Sequence, residues 1–348
     1  MRSQPISSKL AEVSYRSKIA NQHLGSQLTF SQEPNARQFQ QILQKRLQKA
    51  TKTFSQLRKR NITLSPFLEI GAEYALASSL LASKFAASGF ATDISFHSLA
   101  KTKEFAQKFN FQKVPQVICA DATNLPLKSN SFPFVFIYET LHHFPDPKPV
   151  LAEIYRVLAP GGVCLVGGDP IAQTIQIKIW RRPTNLRLWE KILKFTLILP
   201  FISHIGKTEV EHGILEEAFS LKVWQKSLSI FEKVETTIET PVGIIAQSYK
   251  SAQRNWLMPN PATKIAIALF GGGLRAFCFK LPNRKGPPPP KNLLDLLVCP
   301  NCLANLRREI SLSKVGVGFA CPTCQISYKK YQQVPILLEP KLTKLLYL

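Results

Sequence analysis

Apolar residues recur along the first half of the chain in two different rhythms. From Phe39 the positions Phe39, Leu43, Leu47, Ala50, Phe54 and Leu57 step by 4, 4, 3, 4 and 3, which places them on one stripe of an amphipathic helix. Lys45, Arg46, Lys49, Lys52 and the cluster Arg58-Lys59-Arg60 fall off that stripe, so the helix should pack on the next domain and turn a basic face to solvent. From Ser65 the rhythm changes to short apolar runs separated by helical stretches, the alternation of a parallel sheet with crossover helices. Strands are predicted at Phe67–Ile70, Phe90–Asp93, Gln116–Ala120, Phe134–Tyr138 and Val163–Gly167. Helices are predicted at Ala75–Ser88, Ser98–Phe109 and Lys148–Leu158, with a turn at Pro160-Gly161-Gly162. Farther on, helical patterns around Trp180–Leu199 and Leu215–Ser229 precede strand-like Lys233–Thr240 and Arg275–Lys280.

A run of Asn283-Arg284-Lys285-Gly286 followed by prolines 287–290 can be neither helix nor central strand and predicts an extended spacer. The chain then divides into a basic helical extension, 1–60, an α/β domain, 61–282, with an insertion within about 171–260, the linker 283–290 and a small domain, 291–340. The spacer predicts two separate folding units. A total of 348 residues suits one core plus at least one smaller module.

Charge sharpens this division. The net charge is +23, yet residues 61–170 carry 8 basic and 9 acidic side chains, whereas residues 1–60 carry 12 and 2, and 171–290 carry 17 and 8. The near-neutral block is where a site is expected. The basic flanks suit RNA, an anionic surface or an acidic partner, or are simply solvated. A hydrophobic content of 45% excludes disorder of the whole chain. Met1 to Ala20 contains no apolar run of the secretory kind, so a cytoplasmic location is expected. The apolar stretches Ile192–Ile205 and Ile265–Leu274 are too short to span a bilayer, so no transmembrane segment is expected.

Candidate chemistry gathers at the predicted strand ends. Glu69-Ile70-Gly71 leaves the first strand and enters a helix, where open α/β sheets meet nucleotide-like ligands, and Gly71 permits close backbone approach. Asp93 ends the second strand, where a carboxylate can accept from two ribose hydroxyls. Asp121 and Ala122 follow the third, offering a carboxylate and an amide side by side to an adenine edge. The fourth strand runs out through Tyr138 into His142 and His143, facing the ligand from the other side. For Asp93 and Asp121 the plainer alternative is turn formation or helix capping.

In this order and spacing the motifs resemble class I S-adenosylmethionine-dependent methyltransferases over about Leu64 to Asp169, most closely the quinone-biosynthesis C-methyltransferases. The match lies in Glu69-Ile70-Gly71, Asp93, Ala120-Asp121-Ala122, Leu125-Pro126, Ser131-Phe132, Leu141-His142-His143-Phe144 and Glu153 through Gly162. The resemblance implies a Rossmann-like doubly wound sheet and S-adenosyl-L-methionine as cofactor. Gly71 would line its methionine part, Asp93 the ribose and Asp121 the adenine, with Glu69, Ala122 and Tyr138 beside them. Glu73 and Ala75 stand where the family usually has glycines, and Pro133 where it has an aspartate, so an irregularity before Phe134 is expected. Methyl transfer needs alignment and, for some acceptors, a base. His142, His143 and His212 are the candidate bases, each equally readable as a capping or surface histidine.

Cys299-Pro-Asn-Cys302 and Cys321-Pro-Thr-Cys324 form two tight knuckles 18 residues apart, the spacing of a closed four-thiolate structural zinc site. Cys119, Cys164 and Cys278 read as buried small hydrophobes. The segments around Leu293–Cys299 and Tyr331–Pro340 resemble the small zinc-binding proteins that activate RNA and protein methyltransferases, which implies docking through strand pairing. The expected acceptor is a small or lipid-like molecule. RNA is the rival substrate, and a methyltransferase fold retained only for binding is the third reading.

Overall fold

The computed structural model describes residues 6–22, 36–172, 213–215, 217–239, 245–250, 261–282, 290 and 292–347, with isolated positions between 180 and 204. Helices α1 (Ile6–Gln22) and α2 (Ala36–Lys59) precede β1 (Phe67–Ile70), α3 (Leu76–Lys84) and β2 (Gly89–Asp93). Then come α4 (Phe96–Ala100), α5 (Thr102–Lys108), β3 (Gln116–Cys119), β4 (Phe132–Tyr138), α6 (Lys148–Val157) and β5 (Leu158–Ile171). After the two-residue pair β6 (Trp180–Arg181) and β7 (Ser203–His204) follow α7 (Leu221–Leu228), β8 (Lys233–Glu239), β9 (Ile245–Lys250), α8 (Pro261–Phe270) and β10 (Gly272–Phe279).

The main sheet has eight strands in the order β3-β2-β1-β4-β5-β10-β8-β9. Strands β1 to β5 are parallel, and β10, β8 and β9 continue the sheet antiparallel. This is a mixed α/β, Rossmann-like architecture, with the reversal of strand order lying between β1 and β4. The strands are apolar on both faces because helices cover both. On one face α2 lays its predicted stripe, with Leu43, Ala50, Phe54 and Leu57 buried. Phe54 meets Phe85, Phe134 and Phe136 edge-on at centroid distances of 5.5–5.9 Å. On the other face α6 and α7 bury Val150, Leu151, Ile154, Trp224 and Leu228. Cys119, Cys164 and Cys278 are buried, as their apolar surroundings in the sequence suggested.

Local chemistry explains where the pattern misled. The helix expected over Leu215–Ser229 begins only at Leu221, because the Ser220 hydroxyl caps the backbone N–H of Val223. Before it, Phe219 forms a parallel bridge to Ile171. Pro133 disturbs the sheet as expected, since the β4–β5 register shifts between Phe132 and Phe134. The Pro160-Gly161-Gly162 turn is a kink within β5, where Gly161 takes φ +78° and donates its N–H to Lys280. Strand β9 and helix α8 have no counterpart in the sequence reading, whereas α1 falls in the expected helical extension.

Residues 292–347 pack on the β3 edge. They contain α9 (Pro300–Leu306), a small sheet of β11 (Ser313–Val315), β12 (Gly318–Ala320) and β13 (Ser327–Tyr328), a hairpin of β14 (Lys330–Tyr331) and β15 (Val334–Pro335), and α10 (Pro340–Tyr347). The chain after β15 runs parallel to β3, with Ile336 opposite Cys119 and the Leu337 N–H donating to the Cys119 carbonyl at 2.9 Å. A second seam joins Leu127 to Leu297, with Lys128 N–H to Leu296 O and Val298 N–H to Pro126 O, both 2.9 Å. Leu296, Leu297, Cys299, Cys302 and Leu337 share one apolar cluster with the sheet core. Although the spacer suggested separate units, residues of 292–347 share an apolar cluster with the sheet.

Arg156 ties this junction together. Its guanidinium donates to the carbonyls of Leu125 and Leu127 at 2.8 and 2.7 Å, pairs with Glu153, and reaches Glu309 at 2.9 Å. Substituting Arg156→Gln would leave several partly buried acceptors without a donor, so a loss of about 3 kcal/mol is expected in chemical denaturation. Faster proteolysis within 292–347 should accompany it.

Candidate functional site

At the reversal of strand order a cleft open to solvent is lined by Gly71, Asp93, Ile94, Asp121, Ala122, Thr140, His143, Phe144 and, from α1, Glu12. Backbone geometry creates it. Gly71 has φ +67°, and a Cβ there would lie 2.3 Å from the Thr140 hydroxyl, so only glycine fits. Glu73 and Ala75 take φ +50° and +51°, so the loop holds left-handed conformations at the two positions where glycine is missing. The loop path survives at a steric cost of about 1–2 kcal/mol per residue.

Asp93 Oδ2 accepts from the Glu73 N–H at 2.9 Å and Oδ1 from the Ser95 N–H at 2.8 Å. Burial raises its pKa and Glu12 adds to the rise, while these two donors and Arg16 oppose it. Asp121 Oδ1 accepts from the Thr123 N–H and hydroxyl at 2.9 and 2.8 Å, and Oδ2 pairs with Lys9. Both members of that pair are about nine-tenths buried. Helix α1 thus lies across the mouth, held by Lys9 on Asp121 and by Arg16 on Glu73 at 3.0 Å. The sequence reading places this segment in the basic helical extension 1–60 but assigns it no part in the site. Lys9, Glu12 and Arg16, spaced by 3 and 4, already marked one polar helix face.

The other proposed residues separate. His143 lines the cavity, and its Nδ1 lies 3.0 Å from the Leu215 carbonyl. A carbonyl only accepts, so the neutral ring carries its proton on Nδ1 and offers Nε2 as the acceptor. His142 is buried beside it, away from the cavity lining, with Nδ1 2.9 Å from Asp169 Oδ1. Its expected place at the mouth is corrected by the turn Leu141–His143, which sends the two rings to different partners. Tyr138 does not line the cavity either. It packs with the α2-side cluster and bonds Thr53, because alternation along β4 points it to the opposite face. Glu69 lies beneath the loop and accepts from Ser78 N–H at 3.1 Å and from the Ser78 hydroxyl. His212 lies outside the described residues.

The four cysteines converge. Their Sγ atoms all lie within 4.8 Å of one another, with Cys299–Cys324 at 3.6 Å and Cys302–Cys321 at 3.7 Å. Tetrahedral coordination at a Zn–S distance of about 2.3 Å sets sulfurs roughly 3.8 Å apart, so the donor set fits zinc. These separations are far beyond the ~2.05 Å of a disulfide. Against its own burial, the amide N–H groups of Cys324 and Thr323 and neighbouring thiols bring Cys321 down to about 7.

Residues 68–166 match the family model described as a methyltransferase domain. The chain is 46% identical over 108 residues to demethylmenaquinone methyltransferase of Staphylococcus epidermidis, covering 30% of this chain and 39% of that protein. It is 46% identical over 76 residues to malonyl-[acyl-carrier protein] O-methyltransferase of Alcanivorax borkumensis, covering 22% and 25%. Against sterol 24-C-methyltransferase of Schizosaccharomyces pombe it is 33% identical over 67 residues, covering 19% and 18%. The chain therefore spans well under half of each of these relatives. Among solved structures, the Haemonchus contortus phosphoethanolamine N-methyltransferase 2 superposes with a TM-score of 0.40 at 16% identity, covering 67% of this chain and 53% of that one. The segment that matches a methyltransferase domain, 68–166, lies on the Rossmann-like sheet.

Two outcomes test the site. Burial pushes the Glu69 carboxyl up to about 8 from 4.5, against two hydrogen bonds from Ser78 and with Asp93 adding to the rise. A raised native pKa means that the folded state holds the proton longer. Its stabilisation is complete below pH 4.5 and lost as pH rises through about 8. Denaturation midpoints should decline across that window, and Glu69→Gln should flatten the decline. Chelation of bound metal should lower the melting temperature of the whole chain in a single transition, because the cysteines share an apolar cluster with the sheet. A core that melts unchanged after chelation would contradict this.

Proposed function

We propose that the protein transfers a methyl group from S-adenosyl-L-methionine to a small or lipid-like acceptor, and that Cys299, Cys302, Cys321 and Cys324 hold a structural zinc ion. The carrying observation is the placement of Gly71, Asp93 and Asp121 around one cavity at the strand-order reversal, within the segment that matches a methyltransferase domain. Asp93 would take the ribose, Asp121 and Ala122 the adenine edge, and Gly71 the methionine part. Two of the relatives bear the names of quinone and sterol methyltransferases, which favours a lipid-like acceptor. The left-handed backbone at Glu73 and Ala75 supports an enzyme over a fold kept only for binding, since the loop follows a glycine path without glycine.

The cofactor supplies an electrophilic methyl on a sulfonium, and the chain's own residues supply alignment and proton handling. His143 is the base in this reading. The Leu215 carbonyl fixes its Nδ1 proton, so Nε2 takes the acceptor's proton as the nucleophile forms. Asp169 holds the neighbouring His142 ring through Nδ1, while its Oδ2 accepts no hydrogen bond among the described residues. Arg16 neutralises Glu73, so the extra carboxylate beside the methionine end is balanced by α1.

Isothermal titration with S-adenosylmethionine and its demethylated product should show binding, weakened roughly tenfold to a hundredfold by Asp93→Ala. No binding at millimolar ligand by folded protein would remove this reading. With a quinol acceptor, His143→Ala should lower kcat by about 10²–10⁴ while cofactor affinity stays unchanged. Elemental analysis should give one zinc per chain.

A further inference from the structure

Helix α1 places its own cation on the carboxylate assigned above to an adenine edge. Asp121 Oδ1 accepts twice from Thr123 and Oδ2 accepts from the Lys9 ammonium, so both oxygens are engaged within the chain itself. Lys9 and Asp121 are each about nine-tenths buried, and Asp121 lines the cleft. An ammonium and an exocyclic amino group are both N–H donors, and here they compete for one acceptor.

The two halves of α1 are held unequally. Val13 is buried in one cluster with Ala72, Ala75 and Leu346, Tyr15 packs with Ile214, and Arg16 pairs with Glu73. Toward the N-terminus, Ile6 and Leu10 are 51% and 38% exposed, and the side chains that go inside are those of Ser8 and Lys9. The Ser8 hydroxyl is buried without a hydrogen-bond partner among the described residues, which costs stability instead of adding to it. Apolar packing therefore anchors the helix from Val13 onward, whereas Ile6 to Leu10 rest on the Lys9–Asp121 pair. Stretches with few buried apolar contacts are the ones that open locally. Opening this one strips a buried carboxylate of its cation, a cost that an incoming donor removes.

We propose that the Lys9–Asp121 contact is autoinhibitory: the first turns of α1 occupy the carboxylate that an adenosine-bearing ligand needs, and the ligand enters by exchanging its amino group for the Lys9 ammonium. The proposal rests on the assignment of Asp121 to the adenine edge. Affinity is then reduced by the fraction of molecules in which Lys9 is away from Asp121, and a minor state of roughly 10% or less lowers it about tenfold or more.

Titration of the full chain with S-adenosylhomocysteine, the demethylated product, tests this in the wild type and in Lys9→Met, which keeps the apolar stem and removes the ammonium. Lys9→Met is expected to bind roughly tenfold more tightly or better. Binding by both proteins with no gain in the variant would overturn the inhibitory contact and leave the cofactor assignment standing, whereas absence of binding by both would remove the assignment and the proposal together. Because Lys9→Met leaves a buried carboxylate without its cation, a second measurement uses the wild type. Acetylation by acetic anhydride, followed by peptide mass spectrometry, should be several-fold slower at Lys9 than at the exposed Lys45 and Lys49, and should accelerate at Lys9 with saturating product. Lys9 equally or better protected with product bound would show that α1 stays shut over the ligand, and would overturn the proposal.

Discussion

The open edge of β3 is the constraint on which the arrangement turns. A parallel edge strand presents unpaired N–H and C=O groups, and here the chain after β15 covers them through Leu337 and Cys119. That one pairing fixes the C-terminal residues beside the strand whose end leads into Asp121. It also brings Tyr347 against Phe96, with ring centroids 5.0 Å apart, and its hydroxyl onto the Ile94 carbonyl. The loop after β2, which lines the cavity, is therefore packed from behind by the far end of the chain.

Helix α1 closes the arrangement from the opposite side. It contributes Val13 to the same apolar cluster as Ala72, Ala75, Phe96, Val334 and Leu346, so both chain extremes meet over the ends of β1 to β3. Its three charged residues divide the work. Lys9 and Arg16 satisfy carboxylates that would otherwise lie together in a poorly solvated place, and Glu12 adds a negative charge to the cavity. With Asp93, Asp121, Glu69, Glu73 and Glu12 so close, the cations of α1 and backbone N–H groups are what make the concentration of acids tolerable.

Much of the fold and part of the site were legible in the sequence. Phe54 and Leu57 announced their buried stripe by spacing alone, and Gly71, Asp93 and Asp121 stand out because they follow strand ends, where the cavity of an open α/β sheet lies. Both signals are local: a period, or a residue at a boundary. The zinc-type knuckles are local in the same sense, since each Cys-X-X-Cys pair closes on itself.

Tertiary structure decided what depended on distant neighbours. The direction of Tyr138 followed from pleat alternation in β4, once α2 covered that face, and the separation of His142 from His143 followed from Asp169 and Leu215 lying on different sides of one short turn. That Lys9 meets Asp121, 112 residues away, is written in no period of the chain. Nor is the pairing of Ile336 with Cys119. Sequence determined which segments were helix or strand and which residues could do chemistry, because those are short-range properties. Which carboxylate is neutralised, which histidine faces the cavity and what covers the sheet edge are long-range ones, settled only when burial forced each polar group to find a partner.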